Sequence, residues 1–80
     1  MTIALHILSP EGTLLDAPVE LVSLPGIVSP FTVLPGHAAL ISSLEKGDIV
    51  YVSEEGEQRL PIASGFVEVR DNKVEACVEV

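Results

Sequence analysis

Residues 66–80, which read FVEVRDNKVEACVEV, show the pattern that decides the fold. Along 66–70, Val67 and Val69 face one way, and Phe66, Glu68 and Arg70 face the other. The alternation returns along 74–80, where every even-numbered position is valine or alanine. A period of two with many β-branched residues is typical of strands that are buried on one face. Asp71-Asn72-Lys73 lies between the two runs and supplies residues that favour turns. The stretch therefore predicts two strands joined by a turn.

The same alternation recurs along the chain, because segments 2–8, 19–24 and 49–53 read TIALHIL, VELVSL and IVYVS. Two Pro-Gly pairs, Pro25-Gly26 and Pro35-Gly36, predict type II turns in which the glycine has a positive φ. Further turns are predicted at Ser9-Pro10-Glu11-Gly12, Lys46-Gly47-Asp48 and Glu54-Glu55-Gly56-Glu57. This spacing predicts an all-β fold, a small flattened sandwich or barrel of about eight to ten short antiparallel strands.

Segment 38–44 is the best candidate for a helix, although its seven residues are few and their composition also suits a strand. The chain shows no linker, no low-complexity tract and no convincing repeat. A chain of 80 residues can bury one small core and no second one. We therefore expect residues 1–80 to form a single domain.

The charge balance excludes several classes of partner. The chain has 4 Lys and Arg against 12 Asp and Glu, a net charge of −8. Binding to nucleic acid or to anionic lipid needs a basic patch, which this composition does not provide. Hydrophobic residues make up 48% of the chain, which suits either a surface covered by partners or a strand-rich composition. The lone Cys77, the lack of a long apolar run and the lack of a basic signal start predict a cytoplasmic protein.

No catalytic or metal site is evident from the residue pattern. Nucleophilic catalysis needs a nucleophile beside a base, and Cys77 alternates with glutamates rather than with the positive groups that activate a thiol. His6 and His37 lie far apart in sequence, with no zinc-site spacing. The acidic run 54–57 lacks the pattern of a calcium loop. We predict no catalytic residue, cofactor or metal, and a protein that works by contact.

Three segments resemble one family. FTVLPGHAAL at 31–40 resembles the F-x-V-L-P-G-H-A-P-L motif of the epsilon subunit of bacterial F-type ATP synthase. ASGFVEV at 63–69, followed by NKV at 72–74, resembles its S-G-G-F-x-E-V…N-x-V segment, and HILSPEG at 6–12 is similar to its start. The order and spacing of the three segments agree along the whole chain.

The resemblance implies a β-sandwich and a mechanical role. Such a domain belongs to the rotating central stalk, binds the gamma subunit on one side and the membrane c-ring on the other, and couples proton translocation to ATP synthesis without catalysing it. It is a peripheral component on the cytoplasmic face of the bacterial inner membrane, and we expect the isolated chain to be monomeric. The net negative surface serves either to steer docking onto basic ring loops or to keep the protein soluble.

The resemblance also indicates which residues contact partners. We expect residues 28–38 to form the ring-facing end, and Phe31 is equally suited to the core. Pro30 replaces an acidic residue that often contacts the c-ring in this family, Ala39 replaces a proline, and Gly65 stands without the motif's second glycine. The predicted partner-contact residues are Val28, Ser29, Pro30, Phe31, Pro35, Gly36, His37 and Ala38.

Many family members continue into a two-helix C-terminal domain that can inhibit ATP hydrolysis. Because this sequence ends at Val80, we expect that inhibitory function, and any ATP site in those helices, to be missing.

Two other functions are weighed against this one. LEKGDIV at 44–50 resembles a turn of biotinyl and lipoyl carrier domains, in which Lys46 would carry the modification, although the usual Met-Lys-Met or Asp-Lys-Ala context is missing. A small β-barrel enzyme is the third alternative, and no residue pattern recommends it.

Overall fold

The computed structural model describes all residues 1–80 and contains only β-strands and the turns between them. It has no helix that could span a membrane. The nine strands are β1 Ile3–Ser9, β2 Gly12–Val19, β3 Leu21–Leu24, β4 Phe31–Val33, β5 Leu40–Leu44, β6 Gly47–Ser53, β7 Gly56–Ile62, β8 Ser64–Arg70 and β9 Lys73–Glu79.

The strands form two sheets, which confirms the predicted all-β sandwich. Five strands in the order β2-β1-β9-β8-β5 make one sheet, called here the β1 sheet, and four in the order β4-β3-β6-β7 make the β3 sheet. Every pairing is antiparallel except that of β1 with β9, which run parallel from Ala4 beside Lys73 to Leu8 beside Cys77. The expectation of antiparallel strands throughout is wrong at this pair, because no hairpin joins the first strand to the last and their relative direction is free.

The alternation read from the sequence places one apolar row of each strand between the sheets. Fifteen hydrophobic residues form this core, and no polar or charged residue is buried in it. Burying each valine, leucine or isoleucine contributes about 1.5–3 kcal/mol. The core residues are Ile3, Leu5, Ile7, Val19, Val22, Leu24, Val33, Leu44, Ile49, Ile62, Val67, Val69, Val74, Ala76 and Val78.

The segment 19–24, which alternates like one strand, is divided between the sheets. β2 ends at Val19 and β3 begins at Leu21. The backbone N–H of Glu20 donates to the carbonyl of Val52 at 2.7 Å, so the chain is fixed as it crosses from the β1 sheet to the β3 sheet. Both halves have an inward-facing row, but the row shifts by one residue at the corner, from Val19 in β2 to Val22 and Leu24 in β3.

The helical candidate 38–44 contains no helix, and its residues Leu40–Leu44 form strand β5, which pairs antiparallel with β8. Its other edge is also bonded, since Ile27 N–H donates to the Ser43 carbonyl at 3.0 Å and Glu45 N–H to the Pro25 carbonyl at 2.9 Å. Partners on both edges satisfy the backbone of this short segment, so tertiary pairing determines its conformation.

The two Pro-Gly pairs fold differently. Gly36 has a φ of 86°, and the N–H of His37 donates to the Leu34 carbonyl at 3.1 Å, as a type II turn requires. Gly26 has no positive φ, so the type II prediction is wrong there. Gly26 is buried and bridges to Leu44. A Cβ at Gly26 would lie 2.5 Å from the Ser29 carbonyl oxygen and 2.9 Å from the Phe31 ring, so this glycine is needed for space.

Candidate functional site

The sandwich has two ends, and each gathers turns that are distant in sequence. The first, called here the Pro35 end, contains the segments 1–2, 34–37, 53–55 and 71–72. The second, the Pro30 end, contains the segments 9–12, 25–30, 45–46 and 79–80. Because the strands run between these ends, loops that follow one another in sequence alternate between them.

The predicted partner-contact residues are divided between the two ends. Residues 28–30 lie at the Pro30 end, and residues 35–38 lie at the Pro35 end. Strand β4, Phe31–Val33, separates the groups by about 10 Å, at roughly 3.3 Å per strand residue. The structure thus places 28–30 and 35–38 at opposite ends of β4, with Phe31 in the strand between them.

At the Pro30 end, the loop 27–30 carries two adjacent exposed apolar side chains. Ile27 is 59% exposed and Val28 is 95% exposed. The backbone bonds of Pro25 and Ile27 to the end of β5 anchor the base of the loop. The loop therefore presents apolar groups on a fixed base, which suits contact with an apolar partner.

Phe31 supports this loop from inside. Its side chain is partly buried against the core, and its ring occupies the space beside Gly26. Packing of this kind accounts for the aromatic residue in β4, and a direct contact between Phe31 and a partner stays a prediction.

At the Pro35 end, the turn 34–37 presents a histidine. It is called here the docking turn because the sequence predicts partner contacts at Pro35, Gly36 and His37, and these contacts stay a prediction. His37 Nδ1 lies 2.7 Å from the carbonyl oxygen of Ala38. Because a carbonyl oxygen only accepts, Nδ1 carries the proton and donates it. His37 Nε2 makes no hydrogen bond within the chain, and with the proton on Nδ1 it is available to a partner as an acceptor.

The docking turn is held by Asn72, in the turn between β8 and β9. The N–H of Gly36 donates to the side-chain oxygen Oδ1 of Asn72 at 2.6 Å, and the N–H of Ala4 donates to the Asn72 carbonyl at 2.9 Å. Sequence reasoning placed Asn72 in a turn and in the N-x-V motif, and it missed this contact because the two partners are 36 positions apart.

An open groove of about 790 Å³ lies beside the docking turn. Its carboxylates come from Glu20, Glu54 and Glu55, so the lining is negative. Neither histidine nor the cysteine lines it. No local motif could reveal the groove, since its walls come from separate turns. The lining residues are Met1, Thr2, Ala17, Pro18, Val19, Glu20, Pro35, Ser53, Glu54 and Glu55.

The residues considered for catalysis do not meet. His6 lies on the outer face of β1, with Nδ1 3.6 Å from a Glu75 oxygen and Nε2 3.3 Å from the Thr13 hydroxyl. Cys77 faces Leu8 and Phe66 across the outer face of the same sheet. The structure contains no group of three or more His, Cys, Asp or Glu side chains that could hold a metal ion.

Comparison with known proteins agrees with the motifs. Residues 2–80 match the family model described as "ATP synthase, Delta/Epsilon chain, beta-sandwich domain". A curated relative from Desulfitobacterium hafniense, the "ATP synthase epsilon chain", is 45% identical over 73 residues, which are 91% of this chain and 55% of the relative. The chain thus spans about half the length of that relative.

Two solved assemblies contain the same fold. A chain of the Euglena gracilis mitochondrial ATP synthase (OSCP/F1/c-ring) superposes with a TM-score of 0.89 at 24% identity, covering 96% of this chain and 50% of that one. A chain of the Tetrahymena thermophila mitochondrial ATP synthase (central stalk/c-ring) gives 0.82 at 14% identity, covering 100% and 65%. At these identities the likeness shows the fold alone.

The comparisons do not support the carrier-domain alternative. Lys46 is an exposed residue of the turn before β6, and the family model accounts for the chain from residue 2 to residue 80. The match over nearly the whole chain, together with the sandwich described above, shows that the chain belongs to the family of the ATP synthase delta/epsilon chain, beta-sandwich domain.

Proposed function

We propose that the chain is a non-catalytic rotor subunit of a proton-translocating F-type ATP synthase, which links the gamma subunit to the c-ring. The observation that carries this proposal is the family match over residues 2–80. Its relatives are named as epsilon chains, and its structural neighbours come from assemblies with a central stalk and a c-ring. The complex would hold the chain at the cytoplasmic face of the bacterial inner membrane.

The two ends of the sandwich suit a part that joins two partners. We assign the loop 27–30 to the c-ring, because the resemblance places a ring-contacting residue at position 30. The sequence predicts that all of residues 28–38 face the ring. Because 34–37 lie at the other end of β4, we propose instead that the docking turn and the acidic groove beside it bind the gamma subunit. Two interfaces of about 800 Å² each on this subunit would cover about a third of its 4774 Å² surface. Both partners can therefore bind at once.

The body between the ends is built to transmit force. Strands account for 42 of the 49 backbone–backbone hydrogen bonds, so the ends are joined by sheet ladders and not by flexible loops. The close-packed apolar core couples the two sheets. A load applied at one end would reach the other with little internal slip.

His37→Ala is expected to weaken binding to the gamma subunit about fivefold, which corresponds to the loss of one neutral hydrogen bond. The reason is that Nε2 of His37 is free to bond a partner group. The measurement is titration calorimetry of the chain against the purified gamma subunit. His6→Ala is the matched control, since His6 lies on the outer face of β1 away from both ends. Equal affinities for the two variants would contradict the assignment of the docking turn.

Co-purification tests the proposed function directly. A tagged copy of the chain, expressed in its own cell, is isolated from detergent-solubilised membranes. We expect the gamma subunit and the c-ring to be retained with it through gel filtration. An intact rotor isolated from the same membranes without any of this chain would overturn the proposal.

A further inference from the structure

One hydrogen bond joins the docking turn and the residues after it to the rest of the sandwich. Segment 34–39 lies between β4 and β5 and has no strand pairing. Its remaining bonds are internal, from His37 N–H to Leu34 and from the His37 ring to Ala38. The bond from Gly36 N–H to Asn72 Oδ1, at 2.6 Å, is the one that reaches another segment. The orientation of the turn therefore depends on Asn72.

Turn chemistry alone does not account for this contact. Asp71 and Asn72 both have positive φ, 52° and 59°, as the two central residues of a type I′ hairpin turn do. Asparagine and aspartate tolerate this conformation, and so does glycine. The side chain of Asp71 makes no hydrogen bond or ion pair, whereas that of Asn72 reaches across to Gly36. The hairpin thus needs the backbone of residue 72, and only the docking turn needs its side chain.

The main chain of Asn72 strengthens the connection. Its carbonyl accepts from Ala4 N–H at 2.9 Å, so the residue that holds the docking turn is itself fixed to β1. Residue 72 is only half-buried, and Gly36 is exposed. The bond therefore restrains a surface turn from a rigid part of the β1 sheet.

We propose that Asn72 is a positioning residue, which fixes the docking turn so that His37 is presented to the partner in one orientation. This inference rests on the proposed function. Ordering a flexible turn on binding costs free energy. Because Asn72 already orders the docking turn in the free chain, that cost is avoided and the affinity for the partner is higher. Asn72 acts through the turn and does not touch the partner.

Three variants separate the side-chain contact from the hairpin itself. Asn72→Gly allows the positive φ and removes the oxygen that accepts from Gly36 N–H. Asn72→Asp keeps an accepting oxygen at this position. Asp71→Gly introduces a glycine at the neighbouring position and leaves the hydrogen bond between Asn72 and Gly36 in place. Each is compared with the unmodified chain by hydrogen exchange at the Gly36 amide and by affinity for the purified gamma subunit. Melting curves establish that each variant is folded.

Asn72→Gly is expected to speed exchange at Gly36 and to weaken binding, each about tenfold, the upper range for one hydrogen bond. Asn72→Asp should restore both to within about threefold, because a carboxylate also accepts from an N–H group. Faster exchange without weaker binding would overturn the positioning role, as would equal losses in Asn72→Gly and Asp71→Gly. Failure of the unmodified chain to bind would overturn the proposed function, whereas the exchange at Gly36 would still report on the contact.

Discussion

Leu5→Ala is expected to lower the free energy of unfolding by about 3 kcal/mol. Leu5 is 0% exposed and lies in β1, between β2 and β9 in the β1 sheet. The truncation leaves a cavity between two sheets whose backbones are fixed by hydrogen bonds, so we expect the core to collapse around it only in part. An 80-residue domain has a total stability of about 4–12 kcal/mol. The variant would therefore lose a large part of it.

Urea denaturation followed by circular dichroism measures this loss. Leu14→Ala is the matched control, because it removes the same atoms from a residue of β2 that is 44% exposed. We expect the control to lose less than about 1 kcal/mol, since little buried area disappears. Similar losses in the two variants would mean that β1 is not the centre of the core.

Gly26→Ala is expected to cost about 2 kcal/mol of stability and also to weaken binding to the c-ring. The added methyl group would lie 2.5 Å from the carbonyl oxygen of Ser29 and 2.9 Å from the ring of Phe31. The Ser29 oxygen belongs to the backbone, so the loop 27–30 must shift to relieve this contact. Its bonds to β5 would be disturbed with it.

Thermal melting and binding to detergent-solubilised c-ring are the two measurements for this variant. Ile27→Ala is the control for the melting measurement alone, because it changes the adjacent residue, which is 59% exposed, without crowding the backbone. The control should keep its stability within about 0.5 kcal/mol, although it removes an apolar contact group. An unchanged melting temperature in Gly26→Ala would show that the loop adapts without cost.

The sequence was most informative where alternation and turn residues coincide. β8 and β9 follow from the valines that alternate with polar residues on either side of Asp71-Asn72. The division of 19–24 at Glu20 was not predicted. The inward-facing positions change from odd-numbered in β2, ending at Val19, to even-numbered in β3, at Val22 and Leu24. In the sequence this change of phase shows only as two adjacent apolar residues, Leu21 and Val22. The parallel pairing of β1 with β9 joins opposite ends of the chain, and no local pattern encodes it.

The candidate site shows the same limit. The P-G-H motif indicates the family and the docking turn, since the positive φ of Gly36 follows from a Pro-Gly pair. The separation of 28–30 from 35–38 depends on the pairing of β4 at the edge of the β3 sheet, and the motif gives no information about that pairing. The sequence predicts a type II turn at Pro25-Gly26, and this prediction is wrong for a related reason. Glycine is required at position 26 because Ser29 and Phe31 leave no room for a side chain there. The sequence does not show how closely these residues pack.

ATP synthesis in reconstituted vesicles tests the central claim most directly. The purified ATP synthase of the source organism is stripped of this chain, inserted into vesicles and driven by an imposed proton gradient, with and without the chain added back. If the chain couples the gamma subunit to the c-ring, synthesis should be lost in the stripped enzyme and restored by stoichiometric addition. Equal rates of synthesis with and without the chain would contradict the account.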